Sequence, residues 1–245
     1  MKKFIFILSL VLSFNAYALS DCAQNEDNCW DCAASQNDSC IARLKDGILT
    51  ISGSGTTKSY EDGKNPWRNR EDIKEVIVEE GITILGGNSF EDVLMSSISL
   101  PSTLERINYE SFQGTLNLKT IVIPNSVTYM GSFMFDSTGL KSIVLGDSLD
   151  FVGQVFCSSD ITIYCQESDK RTKTCEQLIE EKNPENLPKL KTYYTNGNGE
   201  IVFGKKTYAS LEDLAKGKHI PKRIYTIEEA NFVAGKKNRV SIKYR

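Results

Sequence analysis

The sequence predicts a mainly β fold, in which a short solenoid of stacked repeats lies between a Cys-rich N-terminal cap and a small α+β C-terminal region. Three observations predict it. An aliphatic phrase recurs four times at spacings of 22, 23 and 22 residues, a period typical of solenoids. Four cysteines crowd the segment before the repeats, and the repeat pattern stops after Cys165. The expected units are 1–18, 19–72, 73–165 and 166–245.

Residues 1–18 are expected to be an export signal rather than part of the fold. Two lysines precede an apolar run over residues 4–14, and Ala16-Tyr17-Ala18 supplies a signal-peptidase site. The run is too short to span a bilayer, and no later stretch predicts a transmembrane segment. The sequence therefore predicts a secreted or cell-surface protein.

Cysteine usage is consistent with export, because exported proteins can form disulfides. Before the repeats, disulfides are expected rather than the zinc site that a Cys-x-x-Cys spacing also suits, and the three pairings of four cysteines stay open. The cysteines concerned are Cys22, Cys29, Cys32 and Cys40. A further bridge is expected between Cys165 and Cys175, which leaves Cys157 as a small buried thiol.

Charge is distributed unevenly along the chain. Residues 73–156 hold four Lys or Arg against ten Asp or Glu, whereas residues 216–245 hold nine Lys or Arg against two Glu. The basic end suggests contact with an anionic polymer, and the alternative is a solvated face that maintains solubility.

Each repeat predicts two short buried segments. The first inward pairs are Val76/Val78, Ile98/Leu100, Ile121/Ile123 and Ile143/Leu145. The second inward pairs are Ile82/Leu85, Leu104/Ile107, Val127/Met130 and Leu149/Val152.

A corner and a phenylalanine follow the second pair in every copy. The corner residues suggest a left-handed backbone conformation, because Gly and Asn tolerate positive φ. They are Gly86, Asn108, Gly131 and Gly153. The phenylalanines are expected to stack one above another inside the solenoid, as a single column of Phe90, Phe112, Phe135 and Phe156.

The segment before the repeats predicts a cap, because an exposed strand edge recruits other chains. Residues 44–51 indicate a hairpin with an Asp46-Gly47 turn, and Pro66-Trp67 suggests an aromatic plug beside the first coil. The phrases at 47–55, 73–83 and 123–131, together with Pro66-Trp67, resemble BspA-like bacterial surface proteins, the type 5 or Treponema-pallidum-like leucine-rich-repeat class.

This resemblance extends over about residues 40–165 and implies a short leucine-rich-repeat solenoid. It also implies a secreted or cell-surface protein that binds host or microbial macromolecules, since some family members resemble adhesins for matrix proteins. The sequence departs from the family where an alanine usually precedes the repeat phenylalanine. The residues found there are Ser89, Ser111, Met134 and Val155.

The C-terminal third predicts separate small elements. The segment Ile161–Tyr164 suggests a last, truncated coil, and a short helix is expected over Cys175–Lys182. A hairpin is expected over Thr192–Phe203. A second helix is expected to begin with a capping box of Ser210 and Asp213 and to end at Gly217, and a third helix would begin at Thr226.

Catalytic chemistry is not expected. The one histidine, His219, lies in a Lys-rich loop without a nucleophile motif, and paired acids such as Glu79-Glu80 are typical of solvated turns. No cofactor or metal site is expected. A carboxylate-dependent secreted hydrolase stays an alternative, as does a structural envelope component that its basic C-terminal region would retain.

The outward positions of the coils are the candidate binding residues. One column occupies the position between the members of the second inward pair: Ile84, Arg106, Tyr129 and Phe151. A weaker candidate column, which the C-terminal region could cover instead, is Ile77, Ser99, Val122 and Val144. The expected partner is a protein or surface glycan of a host or neighbouring microbe, and no nucleic acid is expected.

Overall fold

The computed structural model describes residues 22, 27–155, 161–166, 173–183, 189–195 and 201–218. Several expectations lie outside these residues: the export signal over 1–18, Phe156, Cys157, His219 and the helix predicted at Thr226. Within the described ranges the chain is built mostly of short strands with two short helices.

The N-terminal cap is a three-stranded antiparallel unit. It consists of β1 (Cys29–Asp31), β2 (Ser39–Lys45) and β3 (Ile48–Thr56), in that spatial order. Asp46 and Gly47 both have positive φ, at 50° and 82°, as the two central residues of a tight hairpin turn require. The predicted hairpin and its turn are therefore confirmed.

Two disulfides secure this cap. They join Cys22 to Cys29 and Cys32 to Cys40, which selects one of the three pairings that the sequence left open. Both cysteines of the Cys29-x-x-Cys32 motif are thus oxidised, each with a different partner, and neither is left to bind zinc.

Each coil of the solenoid contributes two short strands. In chain order they are β4 (Glu75–Val78), β5 (Ile82–Leu85), β6 (Ser97–Ser99), β7 (Arg106–Ile107), β8 (Thr120–Val122), β9 (Tyr129–Met130), β10 (Ser142–Leu145), β11 (Phe151–Val152) and β12 (Thr162–Gln166). We call β4, β6, β8, β10 and β12 the first-sheet strands. The second sheet consists of β5, β7, β9 and β11, which run parallel and continue the end of β3.

A column of aromatic rings runs through the core. Phe90 and Phe112 stack with ring centroids 5.8 Å apart, and Phe112 and Phe135 stack at 5.7 Å. Trp67 extends the column toward the cap, 6.4 Å from Phe90. The stacking predicted for these three phenylalanines and the aromatic plug at Trp67 are confirmed.

The aliphatic pairs complete this core. All members of the second inward pairs are at most 3% exposed. The first inward pairs are also buried, with one exception: Ile98 and Leu100 are only half-buried, which corrects the expectation for the second copy.

The corner glycines serve a different purpose from the one predicted. None of Gly86, Asn108, Gly131 and Gly153 has a positive φ. A Cβ on Gly86 would lie 2.4 Å from the carbonyl oxygen of Lys58, and one on Gly131 would lie 2.5 Å from the amide nitrogen of Tyr109. Glycine is therefore needed there because the preceding coil approaches closely. The left-handed residues come two positions later, at Asn88, Glu110 and Phe133.

The C-terminal region extends the first-sheet side of the solenoid. Its elements are α1 (Cys175–Glu180), β13 (Lys189–Thr195), β14 (Ile201–Phe203), β15 (Lys206–Tyr208) and α2 (Leu211–Ala215). β13 pairs in parallel with β12, so the segment at Ile161–Tyr164 is not the last strand of the stack, contrary to expectation. β13 and β14 form the predicted hairpin.

Local signals at the two helices are partly confirmed. α1 begins with a complete capping box of Thr174 and Gln177, and the predicted bridge between Cys165 and Cys175 ties its first residue to β12. α2 has only half of the predicted box. The Asp213 N–H donates to Ser210 Oγ, but the Ser210 hydroxyl donates to the Asp213 carboxylate, 3.1 Å away.

Candidate partner-binding face

The predicted column on the second sheet is aligned across four coils. Ile84 lies opposite Arg106, Arg106 opposite Tyr129, and Tyr129 opposite Phe151 in the parallel pairing. Parallel strands in register place equivalent side chains directly above one another, and the inward neighbours Leu85, Ile107, Met130 and Val152 fix which face they occupy. We call Ile84, Arg106, Tyr129 and Phe151 the outward ladder.

Three members of the outward ladder are in contact. The Arg106 guanidinium carbon lies 4.1 Å from the centroid of the Tyr129 ring, within the range of a cation–π interaction. On the opposite side, the Tyr129 and Phe151 rings stack at 4.8 Å with an interplanar angle of 8°. The Tyr129 ring is therefore held between a cation and a second aromatic ring.

The outward ladder is accessible to a partner. Phe151 is 38% exposed, Arg106 is exposed, and Ile84 and Tyr129 are half-buried. In the part of the chain that the structure describes, no carboxylate forms an ion pair with Arg106. This surface thus presents a cation, two stacked rings and an aliphatic side chain in one row.

Two exposed aromatic residues near the outward ladder were not predicted from the sequence. Tyr109 (48% exposed) and Phe133 (41% exposed) lie at the corners that follow β7 and β9. The Tyr109 ring covers Gly87, where a Cβ would lie 2.5 Å from the ring unless the ring moved aside. The sequence contained a signal for both, because an aromatic residue is unusual at these positions of the repeat. Ser132 is equivalent to Tyr109 in another copy, and Asn88 is equivalent to Phe133.

The second candidate column, on the first-sheet strands, is partly covered. Val144 is completely buried in a small cluster with Tyr193, Ile201, Tyr208 and Leu214, and Val122 packs against that cluster. Ile77 is half-buried and Ser99 is exposed. The C-terminal region therefore covers Val144, which cannot contact an outside partner, while Val122 stays half-buried at the edge of this cover. Cover by the C-terminal region was the alternative that the sequence left open for this column.

The acidic pair at Glu79-Glu80 has a structural use. The Glu80 carboxylate accepts hydrogen bonds from the backbone N–H groups of Ser102 (2.9 Å) and Thr103 (3.1 Å) in the next coil. These hydrogen bonds hold the pKa of Glu80 below its ordinary value, and the bond from the Ser102 N–H contributes most. Glu80 is thus an ionised link between turns.

Glu91 is the acidic side chain that burial affects most clearly. Burial raises its pKa, although its carboxylate accepts a 2.7 Å hydrogen bond from the Gly63 N–H. The same segment is held by Asn65, whose side-chain amide donates to the Glu91 carbonyl oxygen at 2.9 Å. Glu91 therefore anchors the loop before Trp67 to the first complete coil.

Among the described residues, no group of three or more His, Cys, Asp or Glu side chains is arranged to hold a metal ion. Neither of the two described helices has the length and apolar character needed to cross a lipid bilayer.

Comparison with known proteins gives a family match. Residues 63–164 match the family model described as BspA type leucine rich repeat region (6 copies). No curated protein matches the sequence.

Several solved structures are similar to the chain. The pneumococcal vaccine antigen PcpA is 18% identical over 61% of this chain and 47% of its own, with a TM-score of 0.39. A leucine-rich-repeat protein from Eubacterium ventriosum is 21% identical over 71% and 48%, with a TM-score of 0.38. The T. pallidum leucine-rich-repeat protein is 18% identical over 51% and 67%, with a TM-score of 0.38. The chain spans about half the length of the first two.

The family match covers the same residues in which the structure shows stacked coils of about 22 residues with an aromatic column inside. Residues 63–164 are therefore a BspA-type leucine-rich-repeat region.

Proposed function

We propose that this is a secreted or cell-surface protein that binds a protein partner through the outward ladder. The single observation that carries the proposal is the contact series Arg106–Tyr129–Phe151, which runs in register over three coils. Leucine-rich-repeat regions typically serve protein interaction, and solenoids present extended surfaces suited to it. The function is recognition, without a chemical step.

The chemistry of the outward ladder suits a protein interface. Arginine and tyrosine are enriched among the residues that contribute most to binding energy. Stacking already restricts the side chains of Arg106, Tyr129 and Phe151, so less conformational entropy is lost when a partner binds. Pre-organisation of this kind favours affinity without a large contact area.

Ring orientation favours a protein over a glycan. A sugar ring packs against the open face of an aromatic ring, but both faces of Tyr129 are occupied, one by Arg106 and the other by Phe151. At the centre of the outward ladder, Tyr129 therefore offers a partner its ring edge. Edges and a guanidinium suit the aliphatic, aromatic and carboxylate side chains of a protein.

Two features support the location. The N-terminal 18 residues have the composition of an export signal. The three disulfides fit an oxidising compartment outside the cytoplasm.

Differential capture tests the proposal. The mature protein, the double variant Tyr129→Ala/Phe151→Ala and the control Leu116→Ala are immobilised and exposed to surface-protein extracts of host and bacterial cells. Leu116 is a matched control because it is 57% exposed and lies outside the outward ladder. We expect a protein retained by the wild type and by Leu116→Ala but lost from the double variant.

Equal retention by all three proteins would contradict the proposal. A glycan array tests the alternative that the partner is a sugar. Glycan binding by the wild type that is lost in Tyr129→Ala would identify a glycan as the partner.

A further inference from the structure

The first-sheet strands are interrupted at one step. Elsewhere along this side, a backbone N–H donates to the preceding coil: Ser96 to the Lys74 oxygen (2.8 Å), Lys141 to the Lys119 oxygen (2.9 Å) and Thr162 to the Lys141 oxygen (2.9 Å). In these fully described coils, no such bond joins Lys119 to the coil before it, and β6 and β8 do not pair. β6 pairs with β4, and β8 pairs with β10.

An extra residue accounts for the interruption. Leu118 follows Phe112 by six positions, whereas Met95 follows Phe90 by five, and the extra length lies beside the exposed Leu116. The second sheet is continuous across the same two coils, because Arg106 pairs with Tyr129. Strand pairing is therefore interrupted on the first-sheet side alone, where β6 and β8 stay neighbours and the Asn117 side-chain amide donates to the Leu94 carbonyl oxygen at 2.9 Å.

A groove of about 360 Å³ lies at the interruption. Its floor is formed by β6 and β8, which do not pair with each other. Its far wall is α2, and Glu212 and Lys216 are among the lining residues. The half-buried Ile98, Leu100 and Val122 give it an apolar strip. Unpaired strand edges beside an apolar strip are the features by which a sheet accepts an added extended segment.

We propose that this groove is the docking site of the chain's own C-terminal residues 219–245, which lie outside the described residues. The position where the described chain ends supports this choice. Lys216 already lines the groove, so the residues that follow leave α2 at the site itself. Because these residues are covalently attached beside the groove, their effective concentration there is higher than that of a separate molecule.

Charge and sequence pattern support the same occupant. Residues 219–245 hold seven Lys or Arg against two Glu, whereas residues 73–156 carry a net charge of −6. One carboxylate, that of Glu212, lines the groove, and the Glu80 carboxylate accepts a hydrogen bond from the lining residue Ser102. Near the chain end, Val240, Ile242 and Tyr244 alternate with polar residues, a pattern typical of a strand with one apolar face.

This docking gives the basic end an intramolecular use. It would cover the open strand edges of β6 and β8, which are otherwise a site for unwanted association between chains. It would also complete the C-terminal cover that already begins with α2, whose last carbonyl, that of Ala215, accepts a hydrogen bond from the Ser142 hydroxyl at 3.1 Å.

Hydrogen exchange of the full-length mature protein, read by mass spectrometry, tests the proposal. The test variant is Val240→Asp/Ile242→Asp, and the control is Asn238→Asp/Ser241→Asp, which adds the same two charges to polar positions. We expect amides of Ser97–Ser99 and Thr120–Val122 to exchange at least about tenfold faster in the test variant than in the wild type. The control should stay within about twofold of the wild type, and Ser142–Leu145 should be unchanged in both.

Three outcomes would overturn the proposal. The groove amides could exchange at the wild-type rate in the test variant, which would leave the groove without the tail. The two variants could accelerate exchange equally, which would reduce the contact to non-specific charge. Exchange could also rise throughout the solenoid, including Ser142–Leu145, which would mean general destabilisation. Added as a free peptide to the test variant, residues 236–245 should restore protection of the groove amides, and failure to do so would equally count against the proposal.

Discussion

The two faces of this solenoid carry similar outward columns but end in different states. On the first-sheet side, Val144 lies beneath the C-terminal hairpin and is completely buried, while on the second sheet Phe151 is 38% exposed. The first-sheet side is also interrupted between β6 and β8, whereas the second sheet pairs without a break from β5 to β11. The continuous, accessible face is the one through which we propose that a partner binds.

This difference shows that the C-terminal region decides which face is available. Tyr193 and Leu214, from the hairpin and α2, pack on Val144 as an outside partner would. The side chains of the outward ladder instead pack against one another along the solenoid axis. One face is therefore buried by folding, and the other stays accessible, as the proposed function requires.

The largest expected effect concerns the core that both faces share. Phe135→Ala should lower the free energy of unfolding by about 3–5 kcal/mol, because Phe135 is 2% exposed and stacks on Phe112. Phe133→Ala, in the same coil but 41% exposed, should change it by about 0.5 kcal/mol or less. Chemical denaturation measures both, and comparable losses would mean that the aromatic column does not hold the coils together.

The next effect tests the attachment of the C-terminal cover. Cys165→Ala/Cys175→Ala should lower the free energy of unfolding by about 2–3 kcal/mol, since the bridge closes a loop whose ends are 10 residues apart. Thermal unfolding with and without reductant gives the comparison. If the double variant melts like the oxidised wild type, the bridge contributes nothing to the cover.

A matched pair of outward residues then compares the two faces directly. Val144→Ala should cost about 1.5–3 kcal/mol, because it removes buried methyl groups from the contact with Tyr193. Tyr129→Ala, on the second sheet, should cost about 1 kcal/mol or less, the value of an exposed ring pair. Denaturant midpoints measure the loss of stability in each variant. A larger loss in Tyr129→Ala than in Val144→Ala would contradict the assignment of buried and accessible faces.

The smallest effect concerns the turns that link the two sheets. Hydrogen bonds from the next coil lower the pKa of Glu80, so its stabilising contribution is complete above the ordinary glutamate pKa of 4.5 and is lost as the pH falls through the lowered value. Glu80→Gln should therefore be slightly less stable than the wild type at pH 7, with the difference vanishing in acid. A difference that persists unchanged at low pH would show that the charge has no part in it.

Short-range pattern was sufficient to predict much of this fold. The stacking of Phe90, Phe112 and Phe135, the turn at Asp46-Gly47 and the bridge from Cys165 follow from period, residue type and spacing, which are properties of neighbouring residues. The alignment of the outward ladder follows in the same way, because register fixes every equivalent position at once.

The missed features depend on contacts that the local pattern does not contain. Gly86 and Gly131 indicated positive φ, but the close approach of the preceding coil requires them, which only the stacked structure shows. The cover over Val144 joins residues about 50 to 70 positions apart in the chain. The looser packing of Ile98 follows from one extra residue near Leu116, whose effect on strand pairing could not be read from a spacing of 23.

The central claim is that the second sheet recognises a partner while the covered face only stabilises the fold. The most direct test measures, for one captured partner protein, its affinity for Tyr129→Ala/Phe151→Ala and for Val144→Ala, each beside its own unfolding curve. We predict that the first variant unfolds nearly as the wild type does but loses at least about 2 kcal/mol of binding, and that the second is less stable but binds normally. Wild-type affinity in the first variant, or lost affinity in a folded Val144→Ala protein, would contradict the account.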